Sequence, residues 1–209
     1  MLVGEIMHPD PVTVAPGATL QEAYDLLVRH GIRHLPVVAG GAVTGVVTDR
    51  DLRLATSHLL PEPYPVTARV DAVMTAPAVT ADPEEPVEAA AARMRQEKIG
   101  CLPVLDGGAL AGIVTGVDLL EVLLRLTGAT QPSGRLEVRL PDTPGALARL
   151  AGLLAEAEVN IASILSHPDP GADRVRLVLR VTTIETRSLA ETLCRAGVDV
   201  VWPPRARCR

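Results

Sequence analysis

The octapeptide GVVTDRDL at residues 45–52 returns as GIVTGVDL at residues 112–119, and this recurrence decides the fold. The same offset of 67 positions aligns residues 7–52 with residues 74–119 without a gap, with 17 identities in 46 positions. Two copies of so long a unit are not typical of a solenoid. The repeat therefore predicts an α+β protein in which two similar units form a pseudo-two-fold pair and bury a shared face.

Each copy is predicted to run β-α-β-β-α. In the first copy, residues 12–14 are a candidate strand, and Thr19 precedes a helix of apolar periodicity that ends near Gly31. Two apolar strands joined by a Gly-Gly turn and a second helix follow. We place the first repeat at residues 1–60 and the second at residues 68–126, with a proline-rich connection between them.

These sequences resemble a known family. The stretches IRHLPVV at residues 32–38 and GVVTDRDL at residues 45–52 resemble a CBS domain, and the second copy resembles it through LPV at 102–104 and GIVTGVD at 112–118. A tandem pair of this kind is similar to Bateman modules, which bind adenosine nucleotides between their repeats and mostly act as regulators. The resemblance implies an adenine nucleotide as a regulatory ligand of this chain.

The repeated motif has a physical logic for such a ligand. A threonine ends an apolar strand and an aspartate lies in the first turn of the next helix. Free N–H groups and a hydroxyl at a helix start suit a phosphate, and a carboxylate can accept hydrogen bonds from both hydroxyls of a ribose. The same residue types also serve as ordinary helix caps, so both interpretations stay open. The candidate nucleotide-binding pairs are Thr48 with Asp51 and Thr115 with Asp118.

The two predicted sites are not equivalent. Arg33 and His34 precede the LPV strand of the first copy, where the second copy has a glycine and a cysteine. Because phosphate favours cations, we expect the cleft that uses Arg33 and His34 to prefer AMP, ADP or ATP, and the other to be weaker or to take a less charged adenosyl ligand. The chain has no phenylalanine and one tryptophan. Its two tyrosines, Tyr24 and Tyr64, lie outside the repeated motif, so we expect an adenine to lie between aliphatic side chains, for which Ile32 and Ile99 are candidates.

The pattern restarts after a polar linker at residues 127–134. Residues 135–203 are predicted to run β-α-β-β-α-β, a ferredoxin-like order, and residues 204–209 form a tail. The stretch DTPGAL at 142–147, with Asn-Ile at 160–161, resembles an ACT domain, which implies amino-acid binding where two domains meet. The resemblance implies that Asp142 faces the ammonium group of an amino acid and that the N–H groups after Gly145 face its carboxylate. The Asn160 side chain could bind either group. A purely structural or dimerising role is the alternative.

Composition argues against several other classes of protein. A net charge of −5 and the scarcity of aromatic rings do not suit a nucleic-acid surface. No apolar run reaches the roughly 18 residues of a membrane span, so a cytoplasmic location is the default prediction. We find no metal-ligand grouping and no acid–base set, and therefore expect neither a required cofactor nor an enzyme.

The order of a CBS pair followed by an ACT domain resembles the acetoin utilization protein B family. We therefore predict a non-catalytic regulatory protein that senses an adenine nucleotide in its CBS pair. Its ACT domain would form a homodimer or sense an amino acid, and its downstream protein target is not specified by any residue. The alternative is a structural or assembly module whose nucleotide sites are vestigial.

Overall fold

The computed structural model describes residues 1–170 and 173–204, so residues 205–209 of the predicted tail lie outside the described part. The chain divides into two compact units, Met1–Leu120 and a second that begins at Glu121. Both are mixtures of helices and strands, which confirms the predicted α+β class.

The first unit contains both repeats. After a short strand β1 (His8–Pro9), the first repeat consists of helix α1 (Leu20–His30), strands β2 (His34–Ala39) and β3 (Ala42–Thr48), and helix α2 (Asp49–Ala55). The second consists of helix α3 (Val87–Glu97), strands β4 (Cys101–Asp106) and β5 (Ala109–Thr115), and helix α4 (Gly116–Leu126), which runs across the boundary between the units. β2 pairs with β3, and β5 lies between β1 and β4.

Local sequence signals explain how α1 begins and ends. Thr19 accepts a hydrogen bond from the Glu22 N–H at 3.1 Å, and the Glu22 carboxylate accepts one from the Thr19 N–H at 2.7 Å, so the N-terminus has a reciprocal cap. Gly31 follows the helix at φ +64°, the left-handed conformation that glycine adopts without strain. The predicted strand at residues 12–14 is wrong: only Val14 pairs, through a single parallel bridge to Val37.

Each repeat receives the segment that precedes the other. β1 pairs with β5 of the second repeat, with His8 opposite Ile113, and 67 residues later Thr75 forms the matching bridge to Val46 of the first repeat. The cores follow the same exchange. Val3 is fully buried in the core of the second repeat, and its counterpart Val70 is fully buried in the core of the first.

The exchange explains the glycine of the repeated octapeptide. A side chain on Gly45 would place its Cβ 2.8 Å from the Thr75 carbonyl oxygen, and one on Gly112 would lie 2.9 Å from the His8 carbonyl oxygen. These separations are too short for any carbon atom, so the incoming segment requires glycine on the strand that it crosses. The motif glycine therefore serves the pairing of the repeats.

The second unit has the predicted ferredoxin-like order. Its elements are strand β6 (Gly134–Pro141), helix α5 (Ala146–Glu156), strands β7 (Ile161–Pro168) and β8 (Arg174–Val181), helix α6 (Thr186–Arg195) and strand β9 (Asp199–Trp202). The strands lie in the order β7-β8-β6-β9 and every pair is antiparallel. The buried leucines and valines of β6 and β8 pack with those of α5 and α6 in one core.

Along β6 and β8, polar residues alternate with the residues that pack in that core. Glu137 is 8% exposed and accepts hydrogen bonds from Arg135 at 2.6 Å and from Arg176 at 3.0 Å. Arg176 also reaches Asp169 at 3.1 Å. The buried carboxylate is thus paired on both sides, which offsets the cost of removing its charge from water.

Candidate functional site

The end of β3 and the start of α2 form the first candidate pair. The Thr48 hydroxyl and the Thr48 N–H both donate to Oδ2 of Asp51, at 2.7 Å and 2.9 Å, and the Asp51 N–H donates to the Thr48 hydroxyl at 3.1 Å. The two residues are therefore a complete helix cap. Among the described residues no hydrogen bond reaches the other carboxylate oxygen, Oδ1, so one acceptor of Asp51 stays available.

The equivalent pair at the start of α4 differs in the hydrogen bonding of its aspartate. The Thr115 N–H and hydroxyl donate to Oδ2 of Asp118 at 2.7 Å and 2.8 Å, as in the first repeat. However, Oδ1 of Asp118 lies 2.9 Å from Nε2 of His8, and the aspartate is only 9% exposed. Both oxygens of Asp118 are therefore engaged within the protein.

Two clefts contain these pairs, and the repeat relates them. Cleft A has a volume of about 430 Å³ and combines residues 8–12 and 30–34 with the Thr115–Asp118 pair. Cleft B has a volume of about 880 Å³ and combines Thr75, Ala78, Val79 and residues 98–101 with the Thr48–Asp51 pair. We call the stretch that precedes each repeat its leading segment. Adding 67 to His8, Pro11 and Val12 of cleft A gives the three leading-segment residues of cleft B, and each cleft combines residues of both repeats.

The aliphatic residues predicted to enclose a base lie in these clefts. Ile32 lines cleft A, where Val12 and Ile113 are also present, and Ile99 lines cleft B with Val46 and Val79. Each isoleucine therefore faces the Thr–Asp pair of the other repeat rather than its own. This crossing follows from the exchange of leading segments and cannot be read from either copy alone.

Arg33 and His34 line both clefts. The His34 ring lies close to Gly100: a Cβ there would be 2.6 Å from Nε2, so a side chain at this position would displace the ring. Burial, followed by the neighbouring Arg33 charge, lowers the pKa of His34, because both disfavour a second positive charge. These two residues alone therefore do not distinguish the clefts.

Other residues do distinguish them, and the sequence analysis missed these. Cleft B is lined by the cationic side chains of Arg50 and Lys98, whose counterparts in cleft A are Val117 and Gly31. Cleft A in turn has His8 where cleft B has Thr75. A comparison of the two copies at residues 8 and 75, and at 50 and 117, would have found these differences.

Cys101 lines cleft B beside Gly100 and is buried. Burial, with a smaller contribution from the Asp51 charge, raises the pKa of its thiol to about 12. The thiol is thus protonated at neutral pH and contributes a small apolar surface to the cleft.

The residues predicted for an amino-acid ligand lie in the second unit and are all exposed. Asp142 follows β6 at the end of the sheet where Pro141 pairs with Arg174, whereas Asn160 precedes β7 at the end where Ile161 pairs with Val181. Gly145 adopts φ +87° and begins α5. A single copy therefore does not bring Asp142 and Asn160 together. Asn160 Oδ1 accepts a hydrogen bond from the Ile161 N–H at 3.0 Å.

The described residues contain no group of three or more histidine, cysteine or acidic side chains placed to hold a metal ion. Within the same part of the chain, no helix is long and apolar enough to cross a membrane.

Sequence comparisons agree with this architecture. The CBS domain model matches residues 3–58 and 70–125, and the ACT domain model matches residues 134–197. The chain is 38% identical over 141 residues to a CBS domain-containing protein of Dictyostelium discoideum, which covers 63% of this chain and 97% of that protein. It is 32% identical over 215 residues to inosine-5'-monophosphate dehydrogenase of Mycobacterium bovis, but that alignment spans 93% of this chain and only 38% of the enzyme.

Solved structures give the same result. A CBS domain pair in complex with 5'-methylthioadenosine and S-adenosyl-L-methionine is 30% identical, with a TM-score of 0.53 over 59% of this chain and 95% of that one. CBSX2 in complex with AMP is 29% identical, with a TM-score of 0.52 over 59% and 96%. A provisionally named acetoin utilization protein from Vibrio cholerae is 29% identical, with a TM-score of 0.56 over 63% and 97%. This chain belongs to the CBS domain family and carries an ACT domain after its pair of CBS repeats.

Proposed function

We propose that the CBS pair of this chain binds an adenine nucleotide and that the chain is a non-catalytic regulator, with cleft B as the principal site. The observation that carries the proposal is the available Oδ1 of Asp51 at the wall of cleft B. Relatives of known structure bind AMP, 5'-methylthioadenosine and S-adenosyl-L-methionine, which have an adenosyl group in common.

The proposed binding mode follows from the residues that line cleft B. A ribose hydroxyl donates to Oδ1 of Asp51, while Oδ2 remains engaged by Thr48. The adenine lies against Ile99 and Val79, since no phenylalanine, tyrosine or tryptophan lines the cleft. Arg33, Arg50 and Lys98 supply positive charge for one or more phosphates. A phosphorylated nucleotide therefore suits cleft B better than an uncharged adenosyl compound.

One observation favours the assembly alternative. The Thr48–Asp51 and Thr115–Asp118 pairs satisfy helix starts without any ligand, so their presence does not require one. Under that alternative the clefts are vestigial, and the chain functions through pairing of its domains alone.

We further propose that the ACT domain forms a homodimer through β7. This strand is at the edge of the sheet, and its Ile164 and Leu165 are more than one third exposed. An unpaired edge of this kind is a template for another strand. If two copies of β7 pair antiparallel about a two-fold axis, Asn160 of a second copy comes to the end of the sheet where Asp142 lies. The proposed amino-acid site is complete only in such a dimer.

The regulated pathway is a separate matter. The name of the Vibrio cholerae neighbour and the domain order support a role in acetoin utilization, and no residue of the clefts specifies it. We propose as well that the protein is cytoplasmic and that it acts on a downstream protein target.

The test of nucleotide binding replaces Asp51 by asparagine. An asparagine amide oxygen can keep the cap with Thr48, but its NH₂ group takes the position of the free acceptor. Isothermal titration with AMP should show a loss of affinity of at least tenfold at the principal site of Asp51→Asn, with little change in melting temperature. Asp25→Ala is the control, because Asp25 is an exposed carboxylate of α1 outside both clefts. Equal binding by Asp51→Asn and the wild-type chain would contradict the proposal.

A further inference from the structure

The difference between the two aspartates points to a role for His8. This residue lies in β1, where its backbone pairs with Ile113 of β5, so its position is fixed by the exchange of leading segments. Its Nε2 lies 2.9 Å from Oδ1 of Asp118, while its side chain is 68% exposed. The carboxylate is an acceptor, so the ring N–H donates. The histidine thus occupies the one oxygen of Asp118 that the Thr115 cap leaves free.

Cleft B has no such contact. Thr75 stands at the equivalent position, and no described residue donates to Oδ1 of Asp51. Two Thr–Asp hydrogen bonds are common to both clefts, with donor–acceptor distances that agree within 0.2 Å, and the first pair alone adds the bond from the Asp51 N–H to the Thr48 hydroxyl. The occupied oxygen is therefore a property of one side chain and not of the fold.

We infer that His8 is a specificity-determining residue of cleft A that competes with the ribose of a ligand for Asp118. The inference rests on the proposed function and extends it. A nucleotide enters cleft A only after the His8 ring moves off the carboxylate, so this cleft fills at a higher concentration than cleft B. Because most of the His8 side chain faces solvent, the ring can leave without disturbing the core.

The consequence is a regulator with two binding steps. Cleft B, with its free carboxylate oxygen and its cations, fills first, and cleft A fills when the nucleotide concentration is higher. A charge-assisted hydrogen bond between the exposed His8 ring and the buried Asp118 carboxylate corresponds to about a tenfold difference in affinity, or about 1.4 kcal/mol.

The experiment works in the Asp51→Asn background, which weakens cleft B, and follows cleft A as a separate site in a two-site fit. Isothermal titration with AMP should give an affinity about tenfold higher for Asp51→Asn/His8→Ala than for Asp51→Asn alone. His8→Gln in the same background should stay near the unmodified value, because an amide N–H can still donate to Asp118. Melting temperatures of the variants, measured without AMP, show whether they are folded.

A reciprocal variant makes the test independent of whether His8→Ala folds. In an Asp118→Asn background, which weakens cleft A, Thr75→His should lower the AMP affinity of cleft B about tenfold. Unchanged or weaker binding in Asp51→Asn/His8→Ala, together with unchanged binding in the Thr75→His variant, would overturn the role of His8 while nucleotide binding itself stands. If neither the wild-type chain nor any variant binds AMP, the proposed function fails and the inference fails with it.

Discussion

Clefts A and B are built from the same repeat and share a small set of side chains, but most of the equivalent positions around that set differ. Both have a threonine–aspartate cap, a valine and an isoleucine at equivalent places, and both are walled by Arg33 and His34. Cleft A has His8 on its carboxylate, whereas cleft B has Thr75 together with Arg50 and Lys98. The two copies have therefore kept the threonine–aspartate pair and the residues that hold the fold, while the side chains around that pair have changed.

The largest expected effect concerns the exchange of leading segments. Val3→Ala and its repeat-related counterpart Val70→Ala each remove two methyl groups from a fully buried position. Each should lower the free energy of unfolding of the CBS pair by about 2 kcal/mol, through lost burial and the cavity that remains.

Hydrogen exchange tells the two variants apart. Val3→Ala should increase amide exchange in α3 and β4, because Val3 packs in the core of the second repeat, and Val70→Ala should increase it in α1 and β2. The exchange of segments would be contradicted if Val3→Ala instead loosened α1 and β2.

A second prediction sharpens the difference in charge between the clefts. Arg50→Val gives cleft B the residue that cleft A has at this position, and it should weaken ATP binding at the principal site about fivefold, as expected for loss of one charge-assisted contact. The matched exchange, Val117→Arg, places a new cation on a residue that lines both clefts, so it should strengthen ATP binding at both sites.

Titration of both variants with ATP and with adenosine provides the control for that prediction. Adenosine has no phosphate, so its affinity should change little in either variant. A parallel loss of adenosine affinity in Arg50→Val would show that Arg50 supports the shape of the cleft rather than a phosphate.

The smallest expected effect concerns the pH dependence of stability at His34. Its pKa is lowered in the folded protein, so the unfolded chain takes up a proton below about pH 6.5 that the folded chain does not. Stability from this residue is present above that pH and is lost as the pH falls toward the folded pKa. Melting temperatures at pH 7.5 and 5.5 should decline more for the wild-type chain than for His34→Gln, and equal declines would contradict the burial of this ring.

Much of the first unit could be predicted from local patterns. Thr19 and Gly31 mark the ends of α1, and short apolar runs joined by Gly-Gly turns mark β2 to β5, because caps, apolar runs and turns each depend on a few neighbouring residues. The strand predicted at residues 12–14 did not form, because the backbone of Val14 meets β2 at one residue only.

The pairing of His8 with Asp118 could not be predicted in the same way. It joins residues 110 positions apart and depends on which repeat receives the leading segment. The similarity of the two copies does not show which repeat receives a segment. A segment that packs on its own repeat and a segment that packs on the other repeat would give the same repeated sequence. The separation of Asp142 from Asn160 was in contrast within reach of the sequence, since the predicted antiparallel strand order places them at opposite ends of the sheet.

The most direct test of the account is the number and strength of AMP sites per chain, measured by isothermal titration on protein from which bound ligands have been removed. The account predicts two sites of unequal affinity, with the stronger one lost in Asp51→Asn and the weaker one lost in Asp118→Asn. Two equal sites, or no binding at all, would contradict it.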